Sequence, residues 1–183
     1  MKLFGVALCL LTFSGFVYGQ GVAQKKPNLV KVPPPMAKAQ RAATLSNLKQ
    51  TGIATMILLS DYDDLFPYVQ STPQLFKFLM PYTKNEKLYK TLNPAGGAFQ
   101  FNMCLAGTSA TAAEKPSETP LFYETKSWPD GSRGVVFADA HAKFVTKEEW
   151  NKMQPLLKLK MKRHGKPIPL NAKTLGSPPP IKN

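Results

Sequence analysis

The apolar residues between positions 36 and 64 recur at steps of three and four residues. This spacing is typical of an amphipathic helix, which gathers such positions on one face. The stretch also contains no proline. We therefore predict one long helix over residues 36–64. Its apolar stripe is formed by Leu45, Leu48, Gly52, Met56 and Leu59.

Shorter elements follow the long helix. Residues Pro73–Tyr82 are predicted to form a second helix, with proline at its start and Pro81 ending it. Three later runs are rich in Phe, Tyr and Val, have the length of strands, and are bounded by Gly, Pro, Ser and Asn. These runs are Ala98–Cys104, Pro120–Thr125 and Gly134–Val145.

The last of these runs is predicted to fold back on itself as a hairpin, with a two-residue turn at Asp139-Ala140. A primed turn of this length needs positive φ angles, which alanine resists at a cost of about 1 kcal/mol. Downstream, Thr146 and Glu149 have the spacing of a capping box. They predict the start of a helix that continues to about Leu157.

The N-terminus has the layout of a secretory signal peptide. Lys2 precedes an apolar run from Leu3 to Val17, and Gly19 follows shortly after. The run is shorter than the ~20 residues that a membrane-spanning helix needs. We expect cleavage near Gly19, with Ala23 as a second possibility and a retained membrane anchor as the alternative. The mature protein is then secreted or periplasmic.

Four regions are predicted: a signal peptide over residues 1–19, a Pro/Lys-rich spacer over 20–35, a folded domain over 36–157 and a basic, proline-rich tail over 158–183. The tail has no acidic residue and few large apolar ones, so we expect it to be disordered. The whole chain carries 24 Lys and Arg against 11 Asp and Glu, a net charge of +13. Such an excess favours contact with polyanions.

The strongest positive cluster lies in the tail and provides the candidate polyanion contacts. It consists of Lys158, Lys160, Lys162, Arg163 and Lys166. A flexible basic segment binds anionic groups by counterion release, without sequence specificity. Leucines and Met161 interleave with these lysines, so an anionic membrane surface is an alternative partner. The simplest alternative is a solvated tail that keeps the protein soluble.

Three segments, taken together, resemble pilin-like proteins of the type II secretion pseudopilin class, in the group with a C-terminal His and Asp-Gly signature. They are Ser46–Gly52, Asp61–Pro67 and Gly134–Val145, and the resemblance extends over Thr44–Val145. It implies an α+β fold in which the long N-terminal helix packs on a small antiparallel sheet. The matching positions are Asn47, Leu48, Lys49, Gln50, Tyr62, Asp63, Phe66, Pro67, Asp139 and His141.

Two features depart from that family. Prepilins carry a long apolar helix with a Glu near its start, whereas here Gly15-Phe16 ends the apolar run and a polar, proline-rich segment follows. Ala140 also stands where the family usually has Gly. The first departure argues against assembly into a filament and favours a free exported domain.

Catalytic and metal chemistry have only weak signals in this sequence. Asp61, Asp63 and Asp64 form an acidic cluster that could bind a hard cation, but the spacing lacks the Gly and distal Glu of a calcium loop. Asp139 and His141 could be part of a hydrolytic site, although a hydrogen bond that stabilises the turn explains the pair more simply. Because nucleophile-elbow, phosphate-loop and dinucleotide-binding motifs are absent from the sequence, we expect no cofactor.

The remaining residues with possible chemistry are a thiol and several aromatic rings. Cys9 lies in the predicted signal peptide, so Cys104 would be the only cysteine of the mature chain and could not form an intramolecular disulfide. We expect a buried thiol, with a reactive one as the alternative. Most of the aromatic residues should pack in the core, whereas Trp128, beside Pro129-Asp130-Gly131, is expected to be exposed in a turn.

Taken together, these features predict an exported, non-enzymatic domain that acts by binding or structural association. One alternative is an atypical minor pseudopilin or adaptor of a type II secretion-like apparatus, which would keep its N-terminus in the membrane. A second is a secreted hydrolase that uses Asp139 and His141.

Overall fold

The structure is a computed structural model that describes residues 34–177, with side chains from Met36 onward. The predicted signal peptide, nearly all of the spacer, Cys9 and the last six residues of the tail lie outside the described residues. Within the described range no helix is both long and apolar enough to cross a membrane.

The first helix, α1, spans Pro34–Asp61 and confirms the predicted long helix. Of the predicted stripe, Leu48, Gly52 and Leu59 are buried, and Leu45 and Met56 are partly buried. The helix ends three residues earlier than predicted because Asp63 and Asp64 have positive φ angles of 51° and 55°. Two consecutive left-handed residues cannot continue a right-handed helix.

The stripe also contains buried threonines that the apolar pattern did not reveal. The hydroxyl of Thr51 donates to the carbonyl of Asn47 at 2.9 Å, and Thr55 donates to that of Thr51 at 2.9 Å. These bonds to the preceding turn satisfy the hydroxyls inside the helix–sheet interface, where an unpaired polar group would be costly.

The second helix, α2, spans Thr72–Thr83 and confirms the predicted element. Ser71 caps its N-terminus by accepting a hydrogen bond from the Gln74 amide. The prediction that Pro81 ends the helix is wrong, because Pro81 lies inside the last turn. The end comes at Lys84, whose φ is 50° and whose amide donates to the carbonyl of Met80 at 2.8 Å.

Four strands form an antiparallel sheet in sequence order: β1 is Phe99–Phe101, β2 is Pro120–Glu124, β3 is Arg133–Phe137 and β4 is Ala142–Val145. All three predicted strand regions are therefore confirmed. A short helix, α3, spans Lys147–Met153 and has the predicted capping box. A 3₁₀ turn over Gln154–Lys158 continues it, close to the predicted end.

The long helix packs on one face of this sheet and α3 lies on the other. On the α1 side the core is largely aromatic and aliphatic, and Phe66, Phe101 and Phe122 are almost fully buried. On the opposite face Trp150 of α3 packs against Tyr123 with ring centroids 5.0 Å apart. The predicted α+β architecture, a long helix against a small antiparallel sheet, is thereby confirmed.

The hairpin between β3 and β4 has a three-residue loop, which corrects the predicted two-residue turn. The Phe137 amide donates to the carbonyl of His141 at 2.9 Å, leaving residues 138–140 in the loop. Of these three, only Ala140 has a positive φ, at 64°. A turn followed by one left-handed residue is the usual form of a three-residue hairpin loop. The expected strain at Ala140 is present, although the turn type differs.

The predicted disorder of the tail is not confirmed. Residues 159–177, called the strap below, have no regular secondary structure, yet they lie along the folded core. Four strap side chains pack against the core. These are Met161, Ile168, Ala172 and Leu175.

The expectation that Trp128 is exposed is wrong. Its side chain is only 3% exposed and its ring meets that of Phe144 edge-on, with centroids 5.6 Å apart. Arg41 of α1 covers both rings, 5.3 Å from the Trp128 centroid and 4.0 Å from that of Phe144, and pairs with Asp130 at 2.6 Å. A loop that looks exposed in the sequence is therefore folded under the beginning of α1.

Candidate functional site

The strap is attached by hydrogen bonds to the α1–α2 connection and to the start of α2. The Ile168 amide donates to the carbonyl of Tyr68 at 2.8 Å. Gln74, which is 2% exposed, donates through its side-chain amide to the carbonyls of Ile168 at 3.2 Å and Pro169 at 2.9 Å. Gln70 adds a bond to the same Ile168 carbonyl at 2.8 Å. These contacts engage both the amide and the carbonyl of Ile168.

A second attachment lies nearer the start of the strap. The guanidinium of Arg163 donates to the hydroxyl of Tyr68 at 2.9 Å and to the carbonyl of Met103 at 3.3 Å, and lies 5.0 Å from the Tyr68 ring centroid. The His164 amide donates to the carbonyl of Gly107 at 2.5 Å. Arg163, predicted to contact polyanions, is thus engaged with the core.

The other four residues of the predicted basic cluster face solvent. Lys158, Lys160, Lys162 and Lys166 are all exposed, and none forms an ion pair with a carboxylate in the described part of the chain. Met161 and Arg163 alternate with these lysines and contact the core instead. Residues 158–166 therefore have side chains that contact the core and, between them, a row of lysines without an ion-pair partner in the described part of the chain.

The thiol of Cys104 lies beneath this part of the strap. Its residue is 8% exposed, as predicted for a buried cysteine. Burial raises the pKa of the thiol, while the charge of Arg163 and the backbone of Leu159 act in the opposite direction without cancelling the increase. A buried thiol with a raised pKa is a poor nucleophile.

Between the strap and the α1–α2 connection lies a cleft of about 270 Å³. The connection contributes Tyr62, Phe66 and Tyr68, and the strap contributes His164, Lys166 and Ile168 among others. The sequence signals that led to the prediction of a disordered tail gave no indication of this cleft.

Asp139 and His141 come together at the tip of the β3–β4 hairpin. Nδ1 of His141 lies 2.5 Å from Oδ1 of Asp139, and the His141 amide donates to the same oxygen at 3.1 Å. The imidazole stacks on Phe137 at a centroid distance of 4.3 Å. Burial raises the pKa of Asp139, but the side-chain and backbone hydrogen bonds from His141 outweigh it, and the net pKa is lowered. This geometry stabilises a turn.

The acidic residues at the end of α1 do not converge. Asp61 accepts a hydrogen bond from the Tyr82 hydroxyl at 2.8 Å, and all three side chains are exposed. No group of three or more His, Cys, Asp or Glu residues within the described range is arranged to hold a metal ion.

The residues that carry the family resemblance on α1 have structural contacts. The Asn47 side chain donates to the carbonyls of Lys87 at 3.4 Å and Lys90 at 3.1 Å, which fixes the segment after α2 against the helix. Leu48 is fully buried. Lys49 and Gln50 are exposed, and Gln50 donates to Ser46 at 3.1 Å.

The second matching segment forms the exit from α1. Tyr62, Phe66 and Pro67 are buried, whereas Asp63 is exposed at its left-handed backbone position. The Phe66 amide donates to the carbonyl of Thr108 at 2.8 Å, and its carbonyl accepts from Gly107. This segment is therefore attached to the loop after β1 and forms one wall of the cleft.

Glu124 is the residue of greatest structural interest that the sequence analysis did not identify. It lies at the end of β2 and is 1% exposed. Its carboxylate accepts hydrogen bonds from Trp128 Nε1 at 2.6 Å, from the Gly134 amide at 2.8 Å and from the Thr91 hydroxyl. Nothing in the local pattern marks it, because its three donors lie in different parts of the chain.

Arg133 lies beside this buried carboxylate. Its guanidinium donates to the backbone carbonyl of Glu124 and sits 4.5 Å from the Trp150 ring centroid. Burial lowers the pKa of the guanidinium, with the Glu124 charge acting in the opposite direction.

Comparison of the chain with known protein families, with characterised proteins and with solved structures finds no match.

Proposed function

We propose that this protein is an exported, pilin-like domain that acts by binding and carries no active site, and that its basic strap is the surface for an anionic polysaccharide. The observation that carries the proposal is the row of exposed lysines held on a docked segment. Lys158, Lys160 and Lys162 are exposed, while Met161 between them packs against the core.

Docking of the strap favours binding because it reduces the entropy that a flexible tail would lose when it meets a polymer. The lysines also lack carboxylate partners in the described part of the chain, so their charges remain available. Counterion release then favours binding of a polyanion, and the affinity falls as the salt concentration rises.

A polysaccharide is favoured over a membrane surface by the positions of the apolar side chains. Insertion into lipid requires an exposed apolar face. Met161 packs against the core and Leu156 and Leu157 are half-buried, so only Leu159 of this group is exposed.

The pilin-like part of the proposal rests on the three resembling segments together with the long helix on a four-stranded antiparallel sheet. Export rests on the N-terminal sequence. Intact mass and N-terminal sequencing of the protein from its native host test this part. A soluble species that starts near Gln20 is expected, and a full-length membrane-bound species would favour the pseudopilin alternative.

The binding part is tested with dextran sulfate and two charge-matched variants. One variant replaces Lys158, Lys160 and Lys162 with Gln; the control makes the same replacement at three exposed lysines of the folded domain, Lys38, Lys49 and Lys77. We expect the strap variant to lose affinity and salt dependence much more than the control. Equal losses would show that net charge alone drives binding, and stronger binding to anionic vesicles than to the polymer would contradict the choice of partner.

A further inference from the structure

The cleft between the strap and the α1–α2 connection has the features of a small-molecule site. Its volume of about 270 Å³ lies just below the ~300–1,000 Å³ typical of ligand pockets. A ligand that fits is therefore small, with about one ring or an equivalent branched chain.

The lining is apolar over much of its area. Leu65 and Phe66 come from the core side, and Ile168 and Ala172 come from the strap. Apolar surface of this kind binds an apolar body by removing it from water. It does not by itself select a ligand, so the polar groups of the lining decide the chemistry.

Those polar groups are donors and cations. Lys166 and His164 line the cleft, together with the hydroxyl-bearing Thr174 and Ser177, and no Asp or Glu of the described chain does so. Tyr62 also lines it, and its hydroxyl forms no hydrogen bond with another described residue. An acceptor on a ligand can therefore bond to this hydroxyl without replacing a bond within the protein.

We propose that this cleft binds a small organic carboxylate with a single aromatic ring or a comparable branched apolar group. The carboxylate is held by Lys166 and the Tyr62 hydroxyl, and the apolar body lies between Phe66 and Ile168. This site is separate from the polymer surface, which runs along the lysines at positions 158–162.

Ligand binding is linked to docking of the strap, because the strap forms one wall of the cleft. Anything that binds only the docked form shifts the equilibrium toward that form. Hydrogen exchange of the Ile168 amide, which donates to Tyr68, should therefore become slower when the site is occupied.

The test uses benzoate as the probe, with benzamide as its uncharged counterpart and acetate as an anion without a ring. Amide chemical shifts of the full chain report the position of binding and its affinity. Benzoate is expected to shift the signals of Phe66, Gly107 and Ile168 and to slow exchange at Ile168. Benzamide and acetate should each bind about tenfold more weakly, since each lacks one of the two interactions.

Two matched pairs of variants locate the site. Lys166→Gln should lower the affinity for benzoate about tenfold, whereas Lys158→Gln, which lies outside the cleft, should leave it unchanged. Likewise, Tyr62→Phe should lower the affinity and Tyr82→Phe should not. Equal binding of benzoate and benzamide, shifts elsewhere on the protein, or equal effects of Lys166→Gln and Lys158→Gln would overturn the proposal. If the wild-type protein binds benzoate as expected but does not bind dextran sulfate, only the polymer proposal is contradicted, so the two proposals fail separately.

Discussion

At the residue scale, Ala140 shows how one side chain sets a local cost. Its φ of 64° is a conformation that glycine adopts freely and alanine resists. Neighbouring Ala138 in the same loop does not have a positive φ. The two alanines therefore allow the conformational effect to be separated from general loss of a methyl group.

Ala140→Gly is expected to stabilise the protein by about 1 kcal/mol, because the left-handed strain is relieved. Ala138→Gly should instead lower the free energy of unfolding, since it only adds freedom to the unfolded chain. Chemical unfolding of both variants measures the difference. Destabilisation by Ala140→Gly would contradict the strain at this position.

The buried Glu124 carboxylate joins three segments of the chain, since it accepts hydrogen bonds from Thr91, Trp128 and Gly134. Glu124→Gln keeps the shape but places an amide among three hydrogen-bond donors. We expect a loss of about 2–4 kcal/mol of unfolding free energy. The control, Glu118→Gln, changes an exposed carboxylate and should be nearly neutral. An equally small effect of Glu124→Gln would show that the buried network contributes little.

Asp139 gives a prediction for pH dependence. Its pKa is lowered in the folded protein, net of burial, by the hydrogen bonds from His141. The stabilisation is therefore present above the unfolded pKa of about 3.9 and is lost as pH falls through the folded pKa. The difference in unfolding free energy between wild type and Asp139→Asn should shrink between neutral pH and pH 3. A difference that grows toward low pH would contradict this sign.

At the element scale, the contact between α1 and the sheet depends on Gly52. A Cβ at this position would lie 2.7 Å from Cγ2 of Val136 on β3 and 3.4 Å from the Cα of Ala140. The helix therefore approaches the hairpin closely because residue 52 has no side chain. This requirement explains a glycine in the middle of a helix, where glycine is intrinsically unfavourable.

Gly52→Ala should destabilise the protein by about 1–3 kcal/mol through overpacking, despite the better helix propensity of alanine. Because the closest atom belongs to the Val136 side chain, the double variant Gly52→Ala/Val136→Ala should show positive coupling in a double-mutant cycle. Lys49→Ala, on the exposed face of the same helix, provides the control. Stabilisation by Gly52→Ala would show that the two elements can separate without cost.

The elements themselves were largely predictable from sequence. The 28-residue α1 and the Thr146/Glu149 capping box depend on contacts within a few residues, which leave a regular spacing in the sequence. The strands are recognised by short runs of Phe, Tyr and Val between turn residues. The predictions of element boundaries and loop lengths were wrong at two places. Pro81 was assigned as a helix end although it lies in the last turn, and the β3–β4 loop is one residue longer than predicted.

At the scale of the whole molecule, the strap determines which parts of the core are shielded from solvent. Its contacts join residues far apart in sequence, as in the bond from Gln74 to Ile168, 94 positions later. The segment lies over the thiol of Cys104 and forms one wall of the cleft. Removal of the strap should therefore have effects well beyond loss of charge.

In a chain that ends at Lys160 and has Cys9 replaced by Ser, Cys104 should react with a thiol reagent at least about tenfold faster than in the full-length chain. Truncation after Ser177 removes only the last six residues and is the matched control. Amide spectra establish that each chain is folded. Unchanged reactivity in a folded chain ending at Lys160 would show that the strap does not protect the thiol.

The sequence alone determined the order and type of the elements, the α+β class, the capping box and the burial of Cys104. These features follow from short-range spacing and from the tendency of apolar side chains to leave water. Tertiary structure alone decided that Trp128 is buried, that Glu124 accepts three hydrogen bonds and that the basic tail docks as a strap. Each of these depends on partners supplied by distant segments, and neither local propensity nor composition encodes which distant backbone group will satisfy a given side chain.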